Sequence, residues 1–173
     1  PIAELSELDR ALVIGSDLRK DHPLFAQRIR QAVRQGAQVC ALAEGAPDWA
    51  MPLHAVLPSD ARDWTQALAA IAVAVAVEKG VPLPAVAQQA ADTPLAAEQI
   101  EELATVARTI AQALLAGSSK AVLLGNAAAH HPQAASLLAL AQWIAEQTGA
   151  RLGYLTEAAN TVGAQYVGAL PQA

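Results

Sequence analysis

One cysteine, one phenylalanine, two tyrosines and no excess of basic residues leave this 173-residue chain short of the groups from which sites are usually built. The lone Cys40 excludes an internal disulfide and, by itself, an iron–sulfur cluster, which needs several thiolates. Within the apolar stretch "QVCALA" it reads as a buried structural thiol. A net charge of -5 and a pI near 5.3 exclude a general nucleic-acid binder, which would carry a basic excess. The longest wholly apolar run, 67–77, is flanked by Gln66 and Glu78. It falls well short of the roughly 20 residues that span a bilayer, so it reads as a buried element. Scarce aromatics and abundant alanine predict helices that pack closely through small side chains.

What remains is a strongly apolar, globular composition, 54% hydrophobic and 16% charged, of a size suited to a single domain over 1–173. The chain begins at Pro1 rather than Met, which points to a piece of a longer polypeptide. Four short apolar runs, "ALVI" (11–14), "QVCALA" (38–43), "AVLL" (121–124) and "RLGYL" (151–155), have the length and continuity of parallel strands covered on both faces. Between the first two, Pro23 and Gly36 bracket a helix with Phe25, Ile29, Ala32 and Val33 on one stripe and Arg30 and Arg34 facing away. Between the last two, Pro132 and Gly149 bracket another, with Leu137, Ala141, Ile144 and Ala145 inward. The middle reads as two helices. One is capped by Ser59 and runs to Gly80, although its "AVAVAV" also alternates like a strand; the other opens at Thr93-Pro94, bears the stripe Ile100, Leu103, Ala107, Ile110 and Leu114, and ends at Gly117. The expected fold is therefore α/β, a three-layer Rossmann-like parallel sheet with helices on both faces.

The two β-α-β units repeat a pattern. A strand leads to Gly15-Ser16 or Gly125-Asn126, then to a short loop, His22-Pro23 or His131-Pro132, a helix, and Gly-Ala before the next strand. Such a turn is where doubly wound sheets take ligands. A dinucleotide fingerprint, however, needs three glycines, so that the backbone can turn, approach pyrophosphate and pack on the helix. "GSDLRKDHP" and "GNAAAH" hold one each, and Asp17 places a negative charge where phosphate would sit. Glu44, after the second strand, resembles a ribose-binding acid but reads better as a solvated loop carboxylate. Adjacent His130 and His131 have no third ligand at a metal-site spacing. His22 and His131 fit better as hydrogen-bonding groups that start their helices. No G-x-S-x-G elbow and no acid–base pair occur, so no catalytic or metal-binding residue is expected.

Charge placement says more than net charge. Arg10, Arg19, Lys20, Arg28, Arg30 and Arg34 all fall in the first unit, against acidic clusters at Asp60/Asp63 and Glu98/Glu101/Glu102. They form either a solvated face or a docking face for an acidic protein surface. Trp49, Trp64 and Trp143 read as core residues, with Trp143 also placed to anchor a partner.

The stretches "LVIGSDLRKDHPLFAQRIRQAVRQGAQV" (12–39) and "LLGNAAAHHPQAASLLALAQWIAEQTGARLGYLTEAANTVGA" (123–164) together resemble the large iron–sulfur subunit of bacterial NADH:quinone oxidoreductase, respiratory complex I. The segment "EAANTVGA" is the most specific part of the likeness. That family joins iron–sulfur modules to a region similar to molybdopterin-dependent oxidoreductases, and this chain corresponds to the second region. The resemblance implies iron–sulfur clusters in the parent subunit but no cofactor here. It further implies other peripheral-arm subunits as partners, no nucleic acid, no direct membrane insertion, and a peripheral place on the cytoplasmic side of the inner membrane. Related molybdopterin enzymes grip a guanine dinucleotide with a G-x-N-P turn and often a D-P-R turn. Here Asp17 and Leu18 stand in place of Asn and Pro, and 41–49 has no D-P-R. Gly15, Ser16, Asp17, Gly125, Asn126 and Asn160 are thus candidates for a vestigial pocket. The alternative implied by the same resemblance is a working molybdopterin guanine dinucleotide domain, with Gly15, Ser16, Gly125, Asn126 and Asn160 lining the site. A nucleotide-binding domain of an unrelated α/β enzyme is a third reading.

Overall fold

The computed structural model describes residues 2–91, 97–156, 163–164 and 167–169. Its five strands are β1 (Arg10–Ile14), β2 (Gln38–Ala43), β3 (Ala55–Pro58), β4 (Lys120–Leu124) and β5 (Arg151–Tyr154). All are parallel, in the order β3-β2-β1-β4-β5. Helices α1 (Leu18–Asp21), α2 (Pro23–Arg34), α3 (Trp64–Lys79), α4 (Ala85–Ala91), α5 (Ala97–Ala116), α6 (Asn126–Ala129) and α7 (Ala134–Thr148) complete the α/β fold. The chain runs outward from β1 to β3, then crosses back to β4 on the other side of β1. The topological switch therefore lies between β1 and β4, where such sheets open a crevice.

Strand alternation divides the core. Leu12, Ile14, Cys40, Leu42, Val122 and Leu124 face α3, α5 and α7, while Ala11, Val13, Val39, Ala41, Ala121 and Leu123 face α2 and Trp49. Because both faces are covered, β1, β2 and β4 carry unbroken apolar runs. Helix α3 explains its own ambiguous sequence. It packs against α4, α5 and α7 at once, so apolar residues surround it and no single stripe marks the helical period. Cys40 is buried, and burial pushes its thiol up to about 11, the state of an inert structural cysteine.

Several expectations are corrected. Strand β3 adds to the four expected strands; four residues ending in Pro58 give too short a pattern, and it pairs only at the sheet edge. Strand β5 is the other edge, and its Arg151 and Tyr154 are exposed, so it is not covered on both faces. Ser59 does not cap α3. The Asp60 carboxylate instead accepts from the Arg62 amide and caps a 3₁₀ turn, Ala61–Asp63, that leads into the helix. Thr93 and Pro94 lie outside the described residues. Along α5 the stripe holds at Ala107, Ile110 and Leu114, but Ile100 is half exposed. Trp49 and Trp64 are core residues, and Trp143 packs partly buried against the main cluster.

One carboxylate ties the first strand to the α5–β4 loop. Asp9 accepts from the Ser118 hydroxyl at 2.5 Å and from the Ser118 and Ser119 amides at 3.1 and 3.0 Å. These bonds, the Ser118 hydroxyl first, lower its carboxyl to about 2 from an ordinary 3.8. The stabilisation is complete above pH 3.8 and is lost as pH falls toward 2. Asp9→Ala should melt lower than wild type at about pH 7, with the gap closing between about pH 4 and pH 2 in thermal denaturation; a constant gap would contradict the assignment.

Candidate functional site

Two turns meet at the switch point. At the end of β1, Gly15 adopts a left-handed φ of 60°, and its amide donates to the Leu42 carbonyl at 2.9 Å. At the end of β4, the Gly125 amide donates to the Ile14 carbonyl at 2.8 Å, and the Ala127 amide donates to the Gly15 carbonyl at 3.1 Å. These three amides are thereby spent on the neighbouring strand and turn rather than on a ligand. Their packing is equally closed. A Cβ on Gly125 would lie 2.3 Å from Ser16 Cβ and 2.5 Å from the Gly15 carbonyl oxygen. A Cβ on Gly15 would lie 2.5 Å from Trp64 Cζ3 and 2.8 Å from the Ala128 amide nitrogen. The glycines are needed so that the two turns can touch each other and Trp64.

Trp64 is held from three sides. Its indole N–H donates to the Ser59 carbonyl at 3.1 Å, and its ring stacks on His131 at 5.8 Å between centroids. His131 Nδ1 accepts from the Gln133 amide at 3.0 Å, which leaves Nε2 to donate to the Ala61 carbonyl at 2.8 Å. His131 thus holds the turn that starts α7, as its position before Pro132 implied. His22 does not do the same: it caps α2 without a side-chain bond, and its Nε2 is buried without a partner among the described residues. It meets Phe25 edge-on at 5.8 Å, and burial lowers its pKa, opposed by the Asp21 carboxylate.

The sequence candidates sort cleanly. Gly15, Ser16, Gly125 and Asn126 come together at the switch point, with Asn126 the first residue of α6. Ser16 is buried with its side chain against Gly125, and its Oγ has no partner among the described residues. Asp17 lines one cavity with Gly15 and Ser16; its carboxylate pairs with Lys20 at 2.8 Å, while its amide donates to the Asp21 carboxylate at 3.3 Å. Asn160 lies outside the described residues. Trp64 is a core residue, as its sequence implies, and also a part of this site that the sequence does not announce. Only the fold brings it to Gly15, and no spacing along the chain marks the contact.

A cavity of about 730 Å³ opens at the switch point itself, lined by Gly15, Ser16, Trp64 and Ala127 on one side and by the loop after β2 on the other. Its charged lining comprises Asp17, Asp21, Glu44, Asp48, Arg19 and Lys20. Arg19 pairs with Asp48 at 2.6 Å and Lys20 with Asp17, so the two cations are offset and the net charge is negative. Glu44 is exposed, as expected of a loop carboxylate, and accepts from the Ala61 amide at 3.3 Å. Such a lining repels a phosphate group. Among the described residues no cluster of His, Cys, Asp or Glu is arranged to hold a metal ion, and no helix is long and apolar enough to cross a membrane. No family model matches the chain, and no curated protein matches it either.

Truncating Trp64 to Ala should lower the unfolding free energy by about 3–5 kcal/mol, and Gly125→Ala by about 1–3 kcal/mol through forced overlap with Ser16. Urea titration measures both, and a neutral Gly125→Ala would show that the turns are not in contact. The lowered His22 pKa gives stability that is full above about pH 6.5 and falls as pH drops through that value. His22→Gln should flatten this acid limb in the same titrations, and an unchanged limb would assign it to other groups.

Proposed function

We propose that this chain is a non-catalytic structural domain of the large iron–sulfur subunit of NADH:quinone oxidoreductase, the complex that passes electrons from NADH through iron–sulfur clusters to quinone. The observation that carries the reading is the switch point: the Gly15 and Gly125 turns pack against each other and Trp64, three of their amides bond the neighbouring strand or turn, and the cavity left beside Gly15 and Ser16 has an acidic lining. This is what a scaffold derived from a molybdopterin-type domain would become once Asp17 and Leu18 stood where the grip had Asn and Pro. The residues here do not fit an iron–sulfur cluster either, because the one thiol, Cys40, is buried in the sheet. In this reading electrons travel through clusters held elsewhere in the subunit. The domain's contribution is then shape and surface for neighbouring peripheral-arm subunits on the cytoplasmic side of the inner membrane.

A second reading keeps a bound molybdopterin guanine dinucleotide, and the 730 Å³ cavity at the carboxyl edge of β1 and β2 favours it by position. Its acidic lining and the self-bonded turns weigh against it. The test is purification of the native assembly through a tag on this chain. NADH:quinone oxidoreductase activity should co-purify, with neither molybdenum, tungsten nor pterin present in stoichiometric amount. Stoichiometric molybdenum or tungsten with pterin would establish the second reading, and purification without the activity would overturn the first.

A further inference from the structure

From His22 to Ala43 the sequence contains no acidic residue, and within that stretch α2 carries Arg28, Arg30 and Arg34. The structure separates these from the other basic residues of the first unit. Arg19 and Lys20 are paired with Asp48 and Asp17, and Arg10 folds back to donate to the Asp9 carbonyl at 2.7 Å. The three α2 arginines have no carboxylate partner among the described residues; Arg28 reaches only Gln31, at 3.4 Å. Arg28 and Arg34 are exposed and Arg30 is half-buried. Leu24, Gln27 and Gln31, spaced three and four apart, form one line along α2; Leu24 is 65% exposed and Gln27 exposed, while Gln31 is half-buried at the edge of the face and accepts from the Ser6 hydroxyl at 3.3 Å. The helical period sets Arg28 on one flank of that line and Arg30 and Arg34 on the other.

We propose that the outer face of α2 is a docking surface for an acidic helix of a protein partner. Its neutral seam would lie along Leu24, Gln27 and Gln31, and its carboxylates would meet the flanking arginines. The geometry is that of a coiled-coil pair, in which charges beside a central seam choose the partner. All three cations are arginine, whose planar fork bonds carboxylates in bidentate fashion and is less strongly hydrated than an ammonium. The patch is also short. It is bounded by Asp17, Asp21 and Asp48 at the start of the helix and by Glu4 and Glu7 on the 3₁₀ turn packed beside it. A polyphosphate chain or an anionic membrane needs a continuous basic track and would meet those carboxylates, whereas a single helix fits between them. None of these features depends on the family to which the chain belongs.

Binding of a synthetic helical peptide, with a leucine seam flanked by glutamates, to the purified chain would be followed by fluorescence anisotropy at low and physiological salt. The affinity should fall with salt, and the triple variant Arg28→Glu, Arg30→Glu, Arg34→Glu should weaken it about tenfold or more. A milder variant, Arg28→Gln with Arg34→Gln, should weaken it in the same direction while melting like the wild type. Equal affinity of wild type and variants, or no binding at low salt, would overturn the proposal. So would tighter binding to phosphatidylserine-containing vesicles or duplex DNA, or self-association of the chain abolished by the triple variant.

Discussion

The contact between the Gly15 and Gly125 turns, roofed by Trp64, is the constraint around which the rest of this domain is arranged. A doubly wound sheet diverges at its switch point because consecutive connections leave β1 and β4 in opposite directions. That divergence usually leaves a crevice with free amides at its floor. Here the amides of Gly15, Gly125 and Ala127 bond the adjacent strand or turn, and an indole ring packs on Gly15 and forms one wall of the cavity that remains. Bonding and packing the two turns against each other exchanges ligand donors for cohesion. It adds to the β1–β4 pairing a second connection between the β1–β2–β3 half and the β4–β5 half.

The same contact organises elements remote in sequence. Trp64 opens α3, the helix that touches α4, α5 and α7, so fixing its first residue over Gly15 sets how that layer sits on the sheet. His131 extends the connection, joining the turn before α7 to the carbonyl of Ala61 in the 3₁₀ turn before α3. A further bond from the Thr65 hydroxyl to the Gln133 side chain, at 2.8 Å, runs alongside. The β3–α3 and β4–α7 connections are therefore fastened together above the site. Charge then follows packing: with the interior closed, polar residues are left to the rim, where acids gather at the cavity and arginines along α2.

Much of this is legible in the chain alone, for reasons that differ by element. The runs at β1, β2 and β4 are unbroken because both faces are buried, and α2 and α7 show a single stripe because one side of each stays open to solvent. Helix α3 is harder to read, since burial on several sides removes the stripe, and β3 is invisible because four edge residues carry little pattern. At the site, the glycines are legible as turn residues, but their reason is not. A glycine that lets a phosphate approach and a glycine that lets another turn approach look identical in sequence, and Trp64 lies too far along the chain to be linked to either. His22 and His131 show the same limit: both precede a proline and a helix, yet only His131 finds a carbonyl and an amide to bond.

Amide hydrogen exchange at the switch point probes the contact between the two turns most directly. If the turns pack against each other in solution, the amides of Gly15, Gly125 and Ala127 exchange only through global unfolding, as slowly as those in the middle of β1 and β4. Rapid exchange at these three positions under native conditions, with the central strands still protected, would mean that the two turns separate freely and do not hold the sheet together.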